Sequence, residues 1–128
     1  MKTVEDIVPD FPEWPMRWKG TEKDIPYGQG ILEAIRPFAE SLISEGSSVR
    51  AIKKDLDNLW LLGGEIIRHV SMHHEYDKIP PAEILRKSVD MTGGPLCRHL
   101  DSESGIRSFD STCRKLHCFL EGKNQSPA

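Results

Sequence analysis

The chain has 128 residues, of which 38% are hydrophobic and 29% charged, and its formal net charge at pH 7 is −3. This length suits one domain with its own core, and no apolar run approaches the roughly 18–20 residues that a membrane span needs. Neither half of the chain is polybasic, which argues against strong nonspecific nucleic-acid binding. The acidic start MKTVEDIVPD lacks the apolar segment of a secretory signal, so we expect a cytoplasmic protein with reduced cysteines.

Residues 1–26 contain four prolines among three large aromatic side chains, those of Phe11, Trp14 and Trp18. Because proline lacks a backbone N–H and favours extended conformations, this composition predicts an extended, non-helical N-terminal arm. Its aromatic side chains either pack onto the rest of the chain or contact something else, a partner protein or stacked nucleic-acid bases.

The first helix is predicted from about Tyr27 to Ser44, with Gly46 as a left-handed C-terminal cap. Pro37 falls inside this pattern and should kink the helix or split it. A second helix is predicted to start at Ser48, whose hydroxyl can cap unpaired N–H groups.

The apolar positions of this second helix recur at steps of three and four residues up to Val70, through Gly63 and Gly64. The unbroken phase favours one continuous helix, with a break at the glycine pair as the alternative. The loss of side chains on the apolar stripe at Gly63 predicts the close approach of another backbone.

A third helix is predicted to begin at Pro80 and Pro81, and a last one to span about Glu103 to Leu120, ended by Gly122. Residues 91–104 should form a loop, and 123–128 a polar tail. We therefore predict an all-α fold, a compact four- to five-helix bundle over residues 27–122. The side chains expected in its core include Leu56, Leu59, Ile66, Ile106, Phe109, Leu116 and Phe119.

Histidines and cysteines are paired at helical spacing near the C-terminal end, as His69 with His73 and Cys113 with His117. Two such pairs from two helices would supply four nitrogen and sulfur ligands to a tetrahedral zinc ion. Cys113 also occupies a core position, where a thiol packs without metal. Since no common zinc motif is present, we expect no metal and no other cofactor, and zinc stays the alternative.

Nothing in the chain marks an activated cysteine, a catalytic carboxylate pair or a phosphate loop, so we expect no enzyme. Basic residues are more informative. They occur at the start of the second helix and in the last helix, and are either solvated surface or a phosphate-contacting edge: Arg50, Lys53, Lys54, Arg107, Arg114 and Lys115.

Three segments resemble a known family: ILEAIRPFAESLISEG, then SVRAIKKDLDNLWLL after a tight turn, and later RSFDSTCRKLHCFL. They resemble helices of the N-terminal core-binding (SAM-like) domain of tyrosine recombinases and phage integrases. The whole chain also resembles a group of short bacterial proteins. The resemblance implies a helical bundle that lays a basic edge on duplex DNA. It implies no recombinase activity, because the catalytic arginines, histidine and tyrosine of that family have no counterpart here.

The leading hypothesis is therefore a non-catalytic accessory DNA-binding module whose six basic residues contact phosphates. The alternative is a protein-interaction or oligomerisation module, for example a toxin-neutralising partner, that uses Trp14, Trp18 and Trp60. Clustered basic residues on one surface favour DNA, and an exposed apolar patch around the tryptophans favours a protein partner.

Overall fold

A computed structural model describes residues 3–122, in which the chain forms six α-helices and two 3₁₀ turns, at Phe11–Glu13 and His74–Lys78. The helices are α1 (Val4–Ile7), α2 (Trp14–Trp18), α3 (Asp24–Ser44), α4 (Val49–Met72), α5 (Pro81–Ser88) and α6 (Glu103–Leu120). Extended pairing in this range is limited to an isolated bridge between Asp90 and Gly93. The all-α prediction is confirmed, and α3–α6 agree with the four to five helices expected, while α1 and α2 precede them.

None of the helices within residues 3–122 combines the length and the apolar character that a membrane span requires. The predicted polar tail, 123–128, lies outside the described residues.

The expected extended arm is wrong for the described part of residues 1–26, which is largely helical. Pro12 and Pro15 stand at the first positions of the 3₁₀ turn and of α2. In the first turn of a helix a backbone N–H has no intrahelical partner, so proline costs nothing there and its fixed φ suits the helix. Phe11, Trp14 and Trp18 are 0%, 2% and 8% exposed. The N-terminal segment is therefore part of the core and not an appendage of a 27–122 domain.

Helix α3 runs without interruption through Pro37, so of the predicted kink or split the split does not occur. Its buried positions Ile31, Ile35, Phe38 and Leu42 continue in phase on both sides of the proline. The helix packs against α2, α4 and α5. We attribute its continuity to this packing, since tertiary contacts usually contribute more to a helix than its local preferences do.

Helix α4 is the longest helix of the described chain and continuous through Gly63 and Gly64, as predicted. Ser48 caps it by accepting a hydrogen bond from the Ala51 N–H at 3.1 Å. Gly46, with a φ of +81°, forms the left-handed end of α3 just before it. A turn of only four residues therefore folds α3 and α4 back on each other as a helical hairpin.

Helix α6 has the predicted bounds and packs against α4. Most of the predicted core is confirmed, because Leu56, Leu59, Ile66, Phe109 and Leu116 are all buried. Two predicted core positions at the ends of α6 differ. Ile106 is 41% exposed in the first turn of α6, and Phe119 is half-buried near the last turn. Both lie toward the ends of the apolar stripe on α6, whereas its buried members lie nearer the middle of the helix.

Candidate functional site

The indole ring of Trp18 lies on the bare backbone of Gly63. A Cβ atom added at Gly63 would stand within 3.0 Å of three indole carbons, a distance that real Cβ atoms do not reach. The close approach predicted for this glycine therefore occurs, but the group that approaches is a side chain and not another backbone. The indole N–H of Trp18 also donates a hydrogen bond to the Trp60 carbonyl at 2.9 Å. Helix α2 is thereby fixed on α4.

A cavity of about 410 Å³ opens between α2 and α4 beside this contact. Two large apolar side chains keep much of their surface exposed there, Trp60 at 39% and Met72 at 62%. We call this cavity the Trp60 groove. Its wall includes Arg17, Trp18, Trp60, Gly64, Arg68 and Met72.

A second hollow of about 370 Å³ is lined by Val8, Trp14 and Asp57. Trp60 and Leu61 line both hollows, so the two concave surfaces adjoin at these residues. Of the three tryptophans predicted to contact a partner, Trp14 and Trp18 are packed in the core, at 2% and 8% exposed, and line the hollows only at their edges, whereas Trp60 keeps an exposed side chain. Trp60 is exposed because it lies on the outer side of α4, off the apolar stripe.

The charged side chains of the Trp60 groove differ in how they are partnered. Arg68 is half-buried and forms no hydrogen bond, ion pair or aromatic contact with the residues that the structure describes. Arg17 lies 3.6 Å from the carboxylates of both Asp10 and Glu13, with its side chain 54% exposed. The Arg68 guanidinium is thus without a partner in the described residues, and the Arg17 guanidinium is held only by long ion pairs at the surface.

The carboxylates of the groove are already used as acceptors. Asp24 accepts hydrogen bonds from the backbone N–H groups of Gly20 at 2.7 Å and Thr21 at 3.0 Å. Glu65 accepts a long hydrogen bond from the Arg98 N–H, at 3.4 Å. Both carboxylates therefore stabilise loops of the protein itself.

The basic residues predicted to contact phosphates lie on α4 and α6. Arg50, Lys53 and Lys54 line a shallow hollow of about 650 Å³ at the start of α4. Arg107 and Arg114 are exposed on α6, seven residues and hence about two turns apart. Within residues 3–122 none of these five forms an ion pair.

Lys115 differs from the other five candidates because its ammonium lies 2.9 Å from the carboxylate of Asp55. Asp55 is only 7% exposed and also accepts a hydrogen bond from the Thr112 hydroxyl at 2.6 Å. Asn58, equally buried, donates to the Thr112 hydroxyl at 2.9 Å and to the Ser108 carbonyl at 3.1 Å. This polar network fixes the register of α4 against α6, and it compensates the charge of Lys115.

Sequence reasoning did not single out Asp55 or Asn58 and so missed this network. A signal was present, since the two are three residues apart and flank the apolar stripe at Leu56 and Leu59. Polar residues at such an edge become buried when a second helix covers them, and their partners are then supplied by that helix.

The zinc alternative required His69, His73, Cys113 and His117 to come together. His69 and His73 do lie side by side, with ring centroids 4.7 Å apart, although α4 ends at Met72 and His73 has left the helix. Cys113 is 1% exposed and lies against the loop at Gly94, in the core position that its helical phase predicted. Among the described residues no three histidine, cysteine or acidic side chains are placed to hold a metal ion. The four residues are therefore not assembled into a site.

The cysteines of the described chain are free thiols, and Cys97 and Cys113 are buried. Burial, with a smaller contribution from the nearby Asp110 carboxylate, raises the pKa of the Cys113 thiol to about 12. Burial also raises the pKa of Cys97. Because the thiolate is the nucleophilic form, both thiols are poor nucleophiles at neutral pH.

No protein-family model, no curated protein and no solved structure matches the chain. The resemblance to recombinase core-binding domains therefore stays a prediction.

Proposed function

We propose that the protein is a non-catalytic binding module that docks a segment of a partner protein in the Trp60 groove. The observation that carries this proposal is the exposed indole of Trp60 on the rim of a preformed cavity. Tryptophan is enriched among the residues that dominate binding energy at protein interfaces. An exposed apolar cluster that is rimmed by charged residues is typical of such an interface.

The backbone around Trp60 supports the proposal because it is already fixed. The Trp60 carbonyl accepts the Trp18 indole N–H, and Trp18 is itself locked against Gly63. A binding residue on a rigid helix loses less conformational freedom when it is covered than one on a mobile loop. Trp60 also lines both hollows, so a partner segment that lies across them contacts its side chain.

The experiment is a selection of short random peptides displayed on phage against the full-length protein, followed by affinity measurement on the enriched peptides. Trp60→Ala should weaken their binding by about tenfold or more, as truncation of a central interface residue does. Leu96→Ala is the matched control, since Leu96 is an exposed apolar side chain, 87% exposed, outside the groove. Enriched peptides that bind the Trp60→Ala variant as tightly as the wild type would contradict the proposal, as would a selection that enriches none.

A second candidate function is contact with the phosphates of duplex DNA. It is supported by the five exposed basic residues on α4 and α6 that form no ion pair in the described part of the chain. Lysine and arginine that neutralise phosphates release counterions, so affinity for DNA would fall steeply with salt. With a net charge of −3, we expect affinity no tighter than micromolar at physiological salt, which is typical of nonspecific contact.

The test of DNA binding compares two double variants with the same change in net charge. Lys53→Glu with Lys54→Glu should weaken binding to every sequence and flatten the salt dependence. Lys78→Glu with Lys87→Glu reverses two exposed lysines elsewhere and should have a much smaller effect. Equal losses in both double variants, or no duplex binding at low salt, would remove this candidate.

A further inference from the structure

Arg68 has an unusual environment for a charged side chain. It is half-buried on the wall of an apolar cavity and has no partner among the residues that the structure describes. A guanidinium remains charged at any physiological pH and carries five N–H donors in a planar fork. No nitrogen of Arg68 is both buried and unpartnered, so its donors are open to water, and a ligand carboxylate can replace that water with two parallel hydrogen bonds.

The other charged groups of the groove leave the Arg68 guanidinium without a partner. The Asp24 carboxylate accepts hydrogen bonds from two backbone N–H groups, and that of Glu65 accepts one from the Arg98 N–H. The second cation of the groove, Arg17, is held by two ion pairs of 3.6 Å. Both carboxylates keep their negative charge, so what the groove offers an incoming carboxylate is the unpaired set of N–H donors on Arg68 and not an excess of positive charge.

The rest of the groove accommodates an apolar group. Trp18, Trp60 and Met72 form its apolar wall, and Gly64 leaves bare backbone on its surface. Its volume of about 410 Å³ lies in the range of roughly 300–1,000 Å³ that is common for ligand sites. An aromatic or leucine side chain can enter beside Trp60 while a neighbouring group reaches Arg68.

We propose that the occupant of the Trp60 groove is an acidic segment of a partner protein, which places an apolar side chain against Trp60 and a carboxylate on Arg68. This inference rests on the proposed docking function and adds the chemistry of the partner. It follows from charge complementarity, because the groove offers one unpartnered cation beside an apolar cavity and no unpartnered carboxylate in the described residues.

The test uses the peptides enriched by phage selection on the wild-type protein. We expect their common pattern to be an aromatic or leucine residue near an aspartate or glutamate. Replacing that acid by its amide in the peptide should weaken binding about tenfold or more, without any change to the protein. Arg68→Met, which keeps the apolar stem of the side chain, should produce the same loss, and Arg107→Met on α6 should not.

A double-mutant cycle between the peptide acid and Arg68 isolates their interaction. If the two losses do not add, so that the amide peptide binds the wild type and Arg68→Met alike, the carboxylate contacts Arg68. Peptides whose binding depends on Trp60 but that contain no acid, or that bind Arg68→Met like the wild type, would overturn this inference and leave the docking function in place. A selection without any Trp60-dependent peptide would overturn both.

Discussion

Replacement of Gly63 by alanine tests the contact on which the fold of the N-terminal segment and the shape of the Trp60 groove both depend. The new Cβ atom would stand within 3.0 Å of three carbons of the Trp18 ring. The indole is 8% exposed and hydrogen-bonded through its N–H, so a movement away from Gly63, even toward the groove that it lines, breaks that hydrogen bond and packing contacts. We therefore expect Gly63→Ala to destabilise the protein.

The magnitude follows from three opposing terms. Alanine in a helix interior is about 1 kcal/mol better than glycine. Overpacking of a filled core costs typically about 1–3 kcal/mol. Displacement of the indole also breaks its hydrogen bond to the Trp60 carbonyl, worth about 0.5–1.5 kcal/mol net. The free energy of unfolding should therefore fall by about 0.5–3.5 kcal/mol in Gly63→Ala.

Gly64 provides the matched control because it adjoins Gly63 in the same helix. A Cβ atom at Gly64 would lie 3.5 Å from the nearest atom of Trp18, an ordinary van der Waals contact. Gly64→Ala should thus gain the helix preference of about 1 kcal/mol without the steric cost. Urea unfolding followed by circular dichroism measures both, and the two variants should change stability in opposite directions.

The result that would refute this reasoning is equal stability of the Gly63→Ala and Gly64→Ala variants, which would mean that Trp18 does not lie on Gly63. A third measurement sharpens the test. In a Trp18→Ala background the steric term disappears, and Gly63→Ala should then become stabilising by about 1 kcal/mol.

Four further predictions address the polar network, the response to acid, the cysteines and metal. Asp55→Ala should lower the free energy of unfolding by about 1–3 kcal/mol, because the network of the buried Thr112 hydroxyl and Asn58 amide is broken. Lys115→Ala should cost under about 1 kcal/mol, because the Lys115 side chain is half-exposed. Arg36 on α3 donates a hydrogen bond to the Glu5 carboxylate on α1 at 2.6 Å, and this contact lowers the pKa of the Glu5 carboxyl below its ordinary 4.5. The stability that it contributes is therefore present above pH 4.5 and lost as the pH falls through the lowered value. Glu5→Gln should therefore reduce the fall of the melting temperature at acid pH. If the melting temperature of the variant depends on pH in this range as that of the wild type does, the ion pair is contradicted. In the native state iodoacetamide should modify the half-buried Cys118 well before Cys113, as judged by peptide mass spectrometry, and the reverse order would contradict the burial of Cys113. Protein purified without added zinc should contain no stoichiometric metal and keep its melting curve in a chelator, and one tightly bound zinc per chain would restore the zinc alternative.

The sequence alone determined the long helices well. Ser48 and Gly46 indicate the turn between α3 and α4, and the unbroken spacing of the apolar residues predicts that α4 continues through Gly63 and Gly64. These features depend on hydrogen bonds between residues a few positions apart and on the partition of one helix face from water. Both causes are local, so the sequence pattern contains them.

The N-terminal segment shows where local reasoning gives the wrong structure. Prolines favour extended chain on average, but at the first position of a helical turn they favour the helix. Which of the two applies at Pro12 and Pro15 depends on whether Phe11, Trp14 and Trp18 find a core to enter. That core is built by α3 and α4, so the outcome is decided by packing.

The candidate site was decided by tertiary structure almost entirely. Trp18 and Trp60 are 42 residues apart, and Asp55 and Lys115 are 60 apart, yet one hydrogen bond and one ion pair join them. The sequence identified tryptophans and basic residues as candidates, but it could not separate the buried Trp18 from the exposed Trp60. Burial is set by which helix covers a given face, and that information lies in contacts between distant segments and not in the spacing along the chain.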